Sequence, residues 1–422
     1  MNAAFLKSYQ TLKEVYSERA FSSIALNRVL CGCTAKDKAL VTKLVYGVLD
    51  NDVKLEYVLS KYVRKLPKGD TLLFLKMGAY CLAELSIPPY AVVNDIVELS
   101  KISGDRYSVG FVNATLKRVA ATIKDFNDYP SDPIENASVR YSYPLWALKK
   151  LVKDYGREQA LSIASCPPEL RSTVRFAADV DLATVRDKYG LQAQSTPFND
   201  AFYVTGSINN DSSDYTAQSL SSMCVARICA EKLGNGRFLD CCAAPGGKSV
   251  YVKQLCKEAS VTSCDVHQHR VDLINAYARR MGVELSTECR DMTVYCDSFA
   301  DKFDVVLCDV PCSGFGVLNN RPDIKLFRDG ADLPGLMHLQ YSILRNCSSY
   351  VKRGGYLVYS TCTVFDNENG QNVRKLLKER DDFEYSQIRL PEFPNADGKS
   401  SYQFLPPTDG IQGFFVAVFK RV

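Results

Sequence analysis

No two of the 16 cysteines are spaced as C-x-x-C; Cys31 and Cys33 make a C-x-C, and Cys241 and Cys242 are adjacent. Zinc sites are usually built from thiolate pairs with two or more residues between them, so the spacing argues against a metal centre. Only three histidines occur: His267, His269 and His338. The first two flank Gln268 just after an expected strand, where they read as solvated loop residues rather than ligands. Long apolar runs are lacking too, and none is long enough to cross a bilayer. The opening Met1-Asn2-Ala3-Ala4-Phe5-Leu6-Lys7 has neither the basic nor the apolar region of a signal peptide. A disulfide framework is therefore not expected, and reduced thiols in a cytoplasmic protein are the default. Nor does charge of one sign dominate. The formal net charge of +4 permits a nucleic-acid partner without demanding one, and any basic surface must be local.

What is present is an ordinary globular composition, 46% hydrophobic and 24% charged. A chain of 422 residues exceeds what one core supports and predicts two or three domains. Residues 1–130 keep helical spacing of apolar positions throughout, with Leu72 to Leu85 as the central buried helix and Pro88-Pro89 as a break. Asp125 to Pro144 is rich in turn and breaker residues and reads as a linker. Within residues 131–214, Pro144 to Cys166 reads as a helix. Leu170 to Phe176, Leu182 to Tyr189 and Phe202 to Thr205 then read as strand, helix and strand of a small α+β module. From about Tyr215 to residue 422, strands alternate with helices, the pattern of a doubly wound α/β sheet.

Two stretches of this last domain carry chemistry. Phe303 to Asp309 and Tyr356 to Thr361 are β-branched and apolar, as strands buried on both faces are. Each ends abruptly in polar residues, Asp309-Val310-Pro311-Cys312-Ser313-Gly314 and Ser360-Thr361-Cys362-Thr363. In an open parallel sheet the carboxyl ends of strands line the ligand crevice. Both runs then deliver a cysteine to one crevice, with Asp309 beside Cys312. The plain alternative is that both thiols are small buried hydrophobes, as most unpaired cysteines are. Two thiols and a carboxylate suit methylation of cytosine at carbon 5. A thiolate adding at carbon 6 breaks the aromaticity and makes carbon 5 nucleophilic. An acidic group at ring nitrogen 3 assists. Chemistry alone leaves open which thiol attacks.

Arg237 to Cys242 reads as the first strand of the same domain, followed by Ala243-Ala244-Pro245-Gly246-Gly247-Lys248-Ser249 and a helix. Gly247-Lys248-Ser249 is not a P-loop, because Cys242 stands where that motif needs glycine, and the run is not G-x-G-x-x-G. Asp265, Asp291 and Asp309 end successive strands. An isolated acid of this kind is more often a helix cap or an exposed turn.

Asp240 to Ser249 resembles, almost residue for residue, the D-L-C-A-A-P-G-G-K-[TS] motif of the S-adenosylmethionine-dependent RNA cytosine-C5 methyltransferases. The resemblance implies that Cys242, Ala243, Ala244, Pro245, Gly246, Gly247 and Lys248, with Asp265, Arg270, Asp291 and Asp309, hold S-adenosylmethionine. It implies that Cys362 is the nucleophile, that Cys312 assists release of the methylated base, and that Asp309 binds the cytosine near nitrogen 3. Asn320-Arg321-Pro322-Asp323-Ile324-Lys325 matches a further family segment, in which Arg321 and Lys325 would hold RNA phosphate. Phe404 to Gly410 with Gly413 to Ala417 matches the closing hairpin. Val310, Phe315 and Ser219 depart from the common pattern, the first two near the base pocket.

The N-terminal region is similar to the NusB RNA-binding fold, on Leu44 to Leu49, Met77 to Tyr80, Val92 to Leu99 and Gly110 to Ala114. That likeness makes Lys61, Arg64, Lys65, Lys68, Lys117 and Arg118 candidates for phosphate contact; by charge alone they are a solvated face. The whole arrangement resembles the bacterial 16S rRNA methyltransferases of the Sun or Fmu type. It implies a cytoplasmic monomer that turns a loop cytosine of 16S rRNA into its pocket. Another RNA (tRNA or 23S rRNA), a non-catalytic RNA-binding assembly factor, and a DNA cytosine methyltransferase attacking through Cys312 are the alternatives.

Overall fold

A computed structural model describes residues 2–102, 106–167, 171–206, 208–318 and 320–422. The chain divides into two compact units, Met1–Ser165 with Leu318–Gly330, and Cys166–Val317 with Ala331–Val422. Among the described residues no helix is long and apolar enough to cross a membrane.

The first unit is helical. Its central helix, Gly69–Glu84, buries ten consecutive residues from Leu73 to Leu82, as the apolar run predicts. Glycine lets its neighbours approach: a Cβ at Gly47 would fall 1.9 Å from the Tyr80 ring, and one at Gly78 would fall 2.6 Å from Leu116. Asp125 to Pro144 is not a plain linker, because Pro133–Arg140 is a helix. Its breaker residues are start signals. The Asp132 carboxylate accepts from the amides of Ile134 and Glu135 at 3.0 and 2.9 Å, and Pro133 takes the first turn, where its missing N–H costs nothing. The helix expected from 144 to 166 is two, Leu145–Tyr155 and Arg157–Ser165, divided at Gly156, whose φ is +81°. Both pack with the first unit.

The second unit holds two sheets. In the smaller, strands β1 (Ser172–Phe176), β2 (Gln192–Ser195), β3 (Ala201–Thr205) and β4 (Tyr215–Ala217) run antiparallel in the order β2-β3-β1-β4. Leu170, the expected start of β1, lies outside the described residues. The larger sheet contains β5 (Arg237–Asp240), β6 (Ser260–Asp265), β7 (Ser286–Cys289), β8 (Phe303–Asp309), β9 (Val351–Thr361), β10 (Phe383–Tyr385), β11 (Ser401–Phe404) and β12 (Phe414–Arg421). Strands β7, β6, β5, β8 and β9 are neighbours in that order and parallel, and β12 pairs antiparallel with β9. The expected closing hairpin is β11 paired with β12. Strand order reverses between β5 and β8, and in such sheets the crevice at that switch point is where ligands bind.

Candidate active site

The crevice is built from the loops that leave β5, β6, β8 and β9. After β5, the Cys241 amide donates to the Leu307 carbonyl at 2.9 Å and the Ala243 amide to Cys264 at 2.8 Å. The Ala244–Pro245 peptide is cis, and Gly246, at φ +106°, turns the chain into the helix Gly247–Leu255. A side chain there would meet Ile274 and Tyr277 at 3.3 Å, so glycine answers both the turn and the packing. Asp265 is buried at the end of β6. Its Oδ1 accepts from the His267 amide at 3.3 Å and lies 3.4 Å from the Arg270 guanidinium. Arg270 also donates to the Ala244 carbonyl at 3.5 Å, tying Asp265 to the glycine-rich turn. A carboxylate at a strand end beside a tight glycine turn suits a ribose diol and an approaching nucleoside. The expected cofactor residues thus gather, with one difference. Asp291, beyond β7, is exposed, and its Oδ1 accepts from the Thr293 amide and hydroxyl at 2.8 and 2.7 Å. Its geometry is that of a turn cap.

Across the switch point, Lys248 Nζ donates to Asp309 Oδ2 at 2.6 Å and the Ser360 hydroxyl donates to Asp309 Oδ1 at 2.8 Å. Burial favours a neutral Lys248, but the Asp309 carboxylate outweighs it and holds the ammonium above its ordinary value. The sulfurs of Cys312 and Cys362 stand 3.2 Å apart, and both residues are half-buried. The hydrogen bond from Cys312 holds the Cys362 thiol below its ordinary value against the effect of burial. The same bond, with burial, pushes Cys312 well up. Of the two thiols, Cys362 is the one whose ionisation the pairing favours, and Cys312 the one whose ionisation it opposes.

Residues far away in sequence hold the two cysteine loops in register. Glu368, fully buried, accepts from the Ser313 amide at 2.8 Å, from the Ser313 hydroxyl at 2.6 Å and from Gln340 Nε2 at 2.8 Å. Gln340 also donates to the Pro311 carbonyl at 2.9 Å. Ser313 and Thr363 share a hydroxyl contact of 2.7 Å, and the Gly316 amide donates to the Cys362 carbonyl at 3.0 Å. Asn369 bonds the Thr361 hydroxyl at 2.5 Å and the Thr363 carbonyl at 3.2 Å. A buried carboxylate is tolerated only when its lone pairs are filled, and here they are filled by the Ser313 amide and hydroxyl, beside Cys312, and by Gln340. Sequence reading missed Glu368, Gln340 and Asn369. The one signal was an acid and two amides, Asn367 to Asn369, shortly after the second cysteine.

Two further expectations change. Cys241, Cys308 and Cys347 come together, fully buried, with sulfurs within 4.8 Å of one another, a thiol cluster that spacing could not reveal. They sit among Leu239, Val306 and Leu357. Lys325, expected on RNA phosphate, instead donates to the Asp50 carbonyl at 3.1 Å within the first unit, and burial lowers its pKa. His267 and His269 are exposed as expected, though His269 lies in the helix Gln268–Arg280 rather than in a loop. Lys61, Arg64, Lys65, Lys68, Lys117 and Arg118 are all exposed on the helical unit. Lys61 pairs with Asp128 at 2.9 Å.

Comparison with known proteins identifies the family. Residues 229–420 match the model of the 16S rRNA methyltransferase RsmB/F family, and residues 4–121 match the NusB family. A probable ribosomal RNA small subunit methyltransferase B of Bacillus subtilis is 33% identical over 98% of this chain and 97% of its own length. The ribosomal RNA small subunit methyltransferase B of Photorhabdus laumondii is 28% identical over 96% and 99%. The crystal structure of PH0851 has the same fold, with a TM-score of 0.80, 18% identity and 99% of each chain covered. The chain belongs to the ribosomal RNA small subunit methyltransferase B family and is an S-adenosylmethionine-dependent methyltransferase acting on ribosomal RNA.

Proposed function

We propose that the protein, as a monomer, methylates carbon 5 of a cytosine in 16S rRNA through a transient bond between that cytosine and Cys362. The observation that carries this reading is the 3.2 Å thiol pair at the ends of adjacent parallel strands, with Asp309 and Lys248 beside it. The turn Cys242 to Lys248, with Asp265 and Arg270, holds S-adenosylmethionine; Asp291 lines the adenine side. The cofactor supplies an electrophilic methyl group. Cys362 Sγ forms a bond to carbon 6 of the ring, and the ring electrons move to carbon 5. Asp309 hydrogen-bonds the edge at nitrogen 3, where negative charge develops. After methylation a base takes the carbon 5 proton, the C–H electron pair restores the carbon 5–carbon 6 double bond, and the sulfur–carbon bond breaks with its pair returning to Cys362. Cys312, in its thiolate form, is the base that assists that release. The target base must leave its stack to reach the sulfur, as a loop cytosine can. The exposed cations Lys61, Arg64, Lys65, Lys68, Lys117 and Arg118 of the helical unit take RNA phosphate.

The test is methyl transfer to 16S rRNA, with bisulfite sequencing of the product. Cys362→Ala should abolish transfer, and Cys312→Ala should accumulate a protein–RNA adduct that resists denaturing gels. An adduct that survives Cys362→Ala but disappears in Cys312→Ala would reverse the two roles.

A further inference from the structure

Arg175 lies in β1 of the small sheet and is fully buried. A guanidinium donates and cannot accept, so its burial is tolerated only where acceptors surround it. Here they are amides and a ring. Arg175 Nε donates to Gln218 Oε1 at 2.7 Å, and Nη1 donates to Gln254 Oε1 and, at 3.3 Å, to the Phe176 carbonyl. The guanidinium carbon lies 4.2 Å from the centre of the Tyr251 ring. That ring is itself held, because its hydroxyl donates to Asp200 at 2.6 Å and accepts from Arg227 at 2.7 Å. Tyr251 and Gln254 belong to the helix Gly247–Leu255, which follows the glycine-rich turn within the same compact unit. Gln218, one residue beyond β4, is anchored by its amide to the Thr173 carbonyl at 3.1 Å. Its Nε2 donates to the Ser222 hydroxyl at 3.2 Å and to the Gly247 carbonyl at 3.3 Å. Gly247, Tyr251 and Gln254 stand at i, i+4 and i+7, on one face of the helix. Arg175 meets that face directly at two of these positions and through Gln218 at the first.

We propose that Arg175 and Gln218 are positioning residues for S-adenosylmethionine, fixing the start of the helix that the cofactor turn opens. The polarity of one amide does this. Because the guanidinium only donates, Gln218 turns its oxygen to Arg175, and its NH2 is thereby aimed at Gly247. The Gly247 carbonyl is then held from outside the helix. With it are held the Gly246–Gly247 turn and Lys248, whose ammonium donates to Asp309. A turn whose glycines let a ligand approach the backbone has no side chain to take up a displacement, so a shift of Gly247 is felt by the cofactor itself. Arg175 acts through Gln218. The proposal rests on the reading that the turn Cys242 to Lys248 holds the cofactor.

Gln218→Glu in the full-length protein separates positioning from packing. The carboxylate keeps the acceptor that Arg175 needs and strengthens it by charge, but it sets a second acceptor against the Gly247 carbonyl where a donor stood. Calorimetric affinity for S-adenosylmethionine should fall about tenfold or more, with the urea-unfolding midpoint no lower than that of the parent. Arg175→Lys offers one ammonium in place of a planar fork and cannot serve Gln218 and Gln254 together, so it should weaken the cofactor as well as lower the midpoint. Asp265→Ala, which alters the cofactor site from the β6 side, is the reference. Parent-like affinity in Gln218→Glu beside weakened affinity in Asp265→Ala would overturn the proposal and leave the site reading standing. Parent-like affinity in both would remove the site reading and the proposal with it. A lowered midpoint in Arg175→Lys with unchanged cofactor affinity would make the guanidinium a structural contact and contradict its positioning role.

Discussion

Two groups of cysteines lie around the end of β8, and their sulfur chemistry is set by opposite surroundings. Cys312 and Cys362 face a crevice beside a lysine and two acids, and one thiol supports the ionisation of the other. Cys241, Cys308 and Cys347 face the apolar side of the same sheet, where burial pushes the Cys241 and Cys347 thiols well up. Cys308 and Cys312 are four positions apart on one stretch of chain, yet one is buried in the core and the other is only half-buried. Proximity of thiols is common to both groups. Against the effect of burial, thiol hydrogen bonds also lower Cys308 within the buried cluster, so what separates the two groups is a neighbouring cation and access from solvent.

The contrast can be broken most sharply by truncation. Cys362→Ala should reduce methyl transfer by about 1,000-fold or more, whereas Cys347→Ala should leave kcat within about twofold and cost about 1 kcal/mol of stability. Comparable losses in both would erase the distinction. Next in size is Glu368→Gln. It places an amide donor against the Ser313 amide and should lower kcat by about 10- to 100-fold with cofactor affinity unchanged, read as a kcat-against-KM split. Alkylation by iodoacetamide gives a finer measure. Cys362 should react in the native protein with a pH midpoint below the ordinary thiol value of 9.0, and Cys312→Ala should raise that midpoint. The buried cluster should react only after unfolding.

A smaller effect concerns Asp240, which precedes the cluster. Burial raises its pKa from 3.8 to about 7, with the Ser249 hydroxyl bond opposing. The folded state thus holds this proton more tightly than the unfolded chain, so stability falls as pH rises from 3.8 to about 7. The span amounts to a few kcal/mol, at about 1.4 kcal/mol per pKa unit. Asp240→Asn should flatten that part of the urea-unfolding profile; an unchanged slope would assign it to other groups.

The parts read correctly in advance were those in which one local signal suffices. The run from Leu72 to Leu85 is apolar enough to be a buried helix whatever surrounds it. The strands ending at Asp309 and Thr361 announce themselves by β-branched residues followed by an abrupt polar change. Other features depend on context. Strand β2, Gln192–Ser195, has no β-branched residue, and its extended state comes from pairing with β3. The helix at Pro133 hides behind residues that equally suit a turn. Glu368 is 55 positions from Ser313, and Gln340 is 29 from Pro311, so no spacing rule joins them. Lys325 reads as a phosphate ligand by type, and only the fold reveals that its ammonium is spent on Asp50.

The direct test is chemical trapping on RNA carrying 5-fluorocytosine, where fluorine cannot leave carbon 5 as a proton would and the sulfur–carbon bond persists. Digestion and mass spectrometry of the complex should find the nucleotide on the peptide containing Cys362. Attachment at Cys312, or no attachment in the presence of S-adenosylmethionine, would contradict the account.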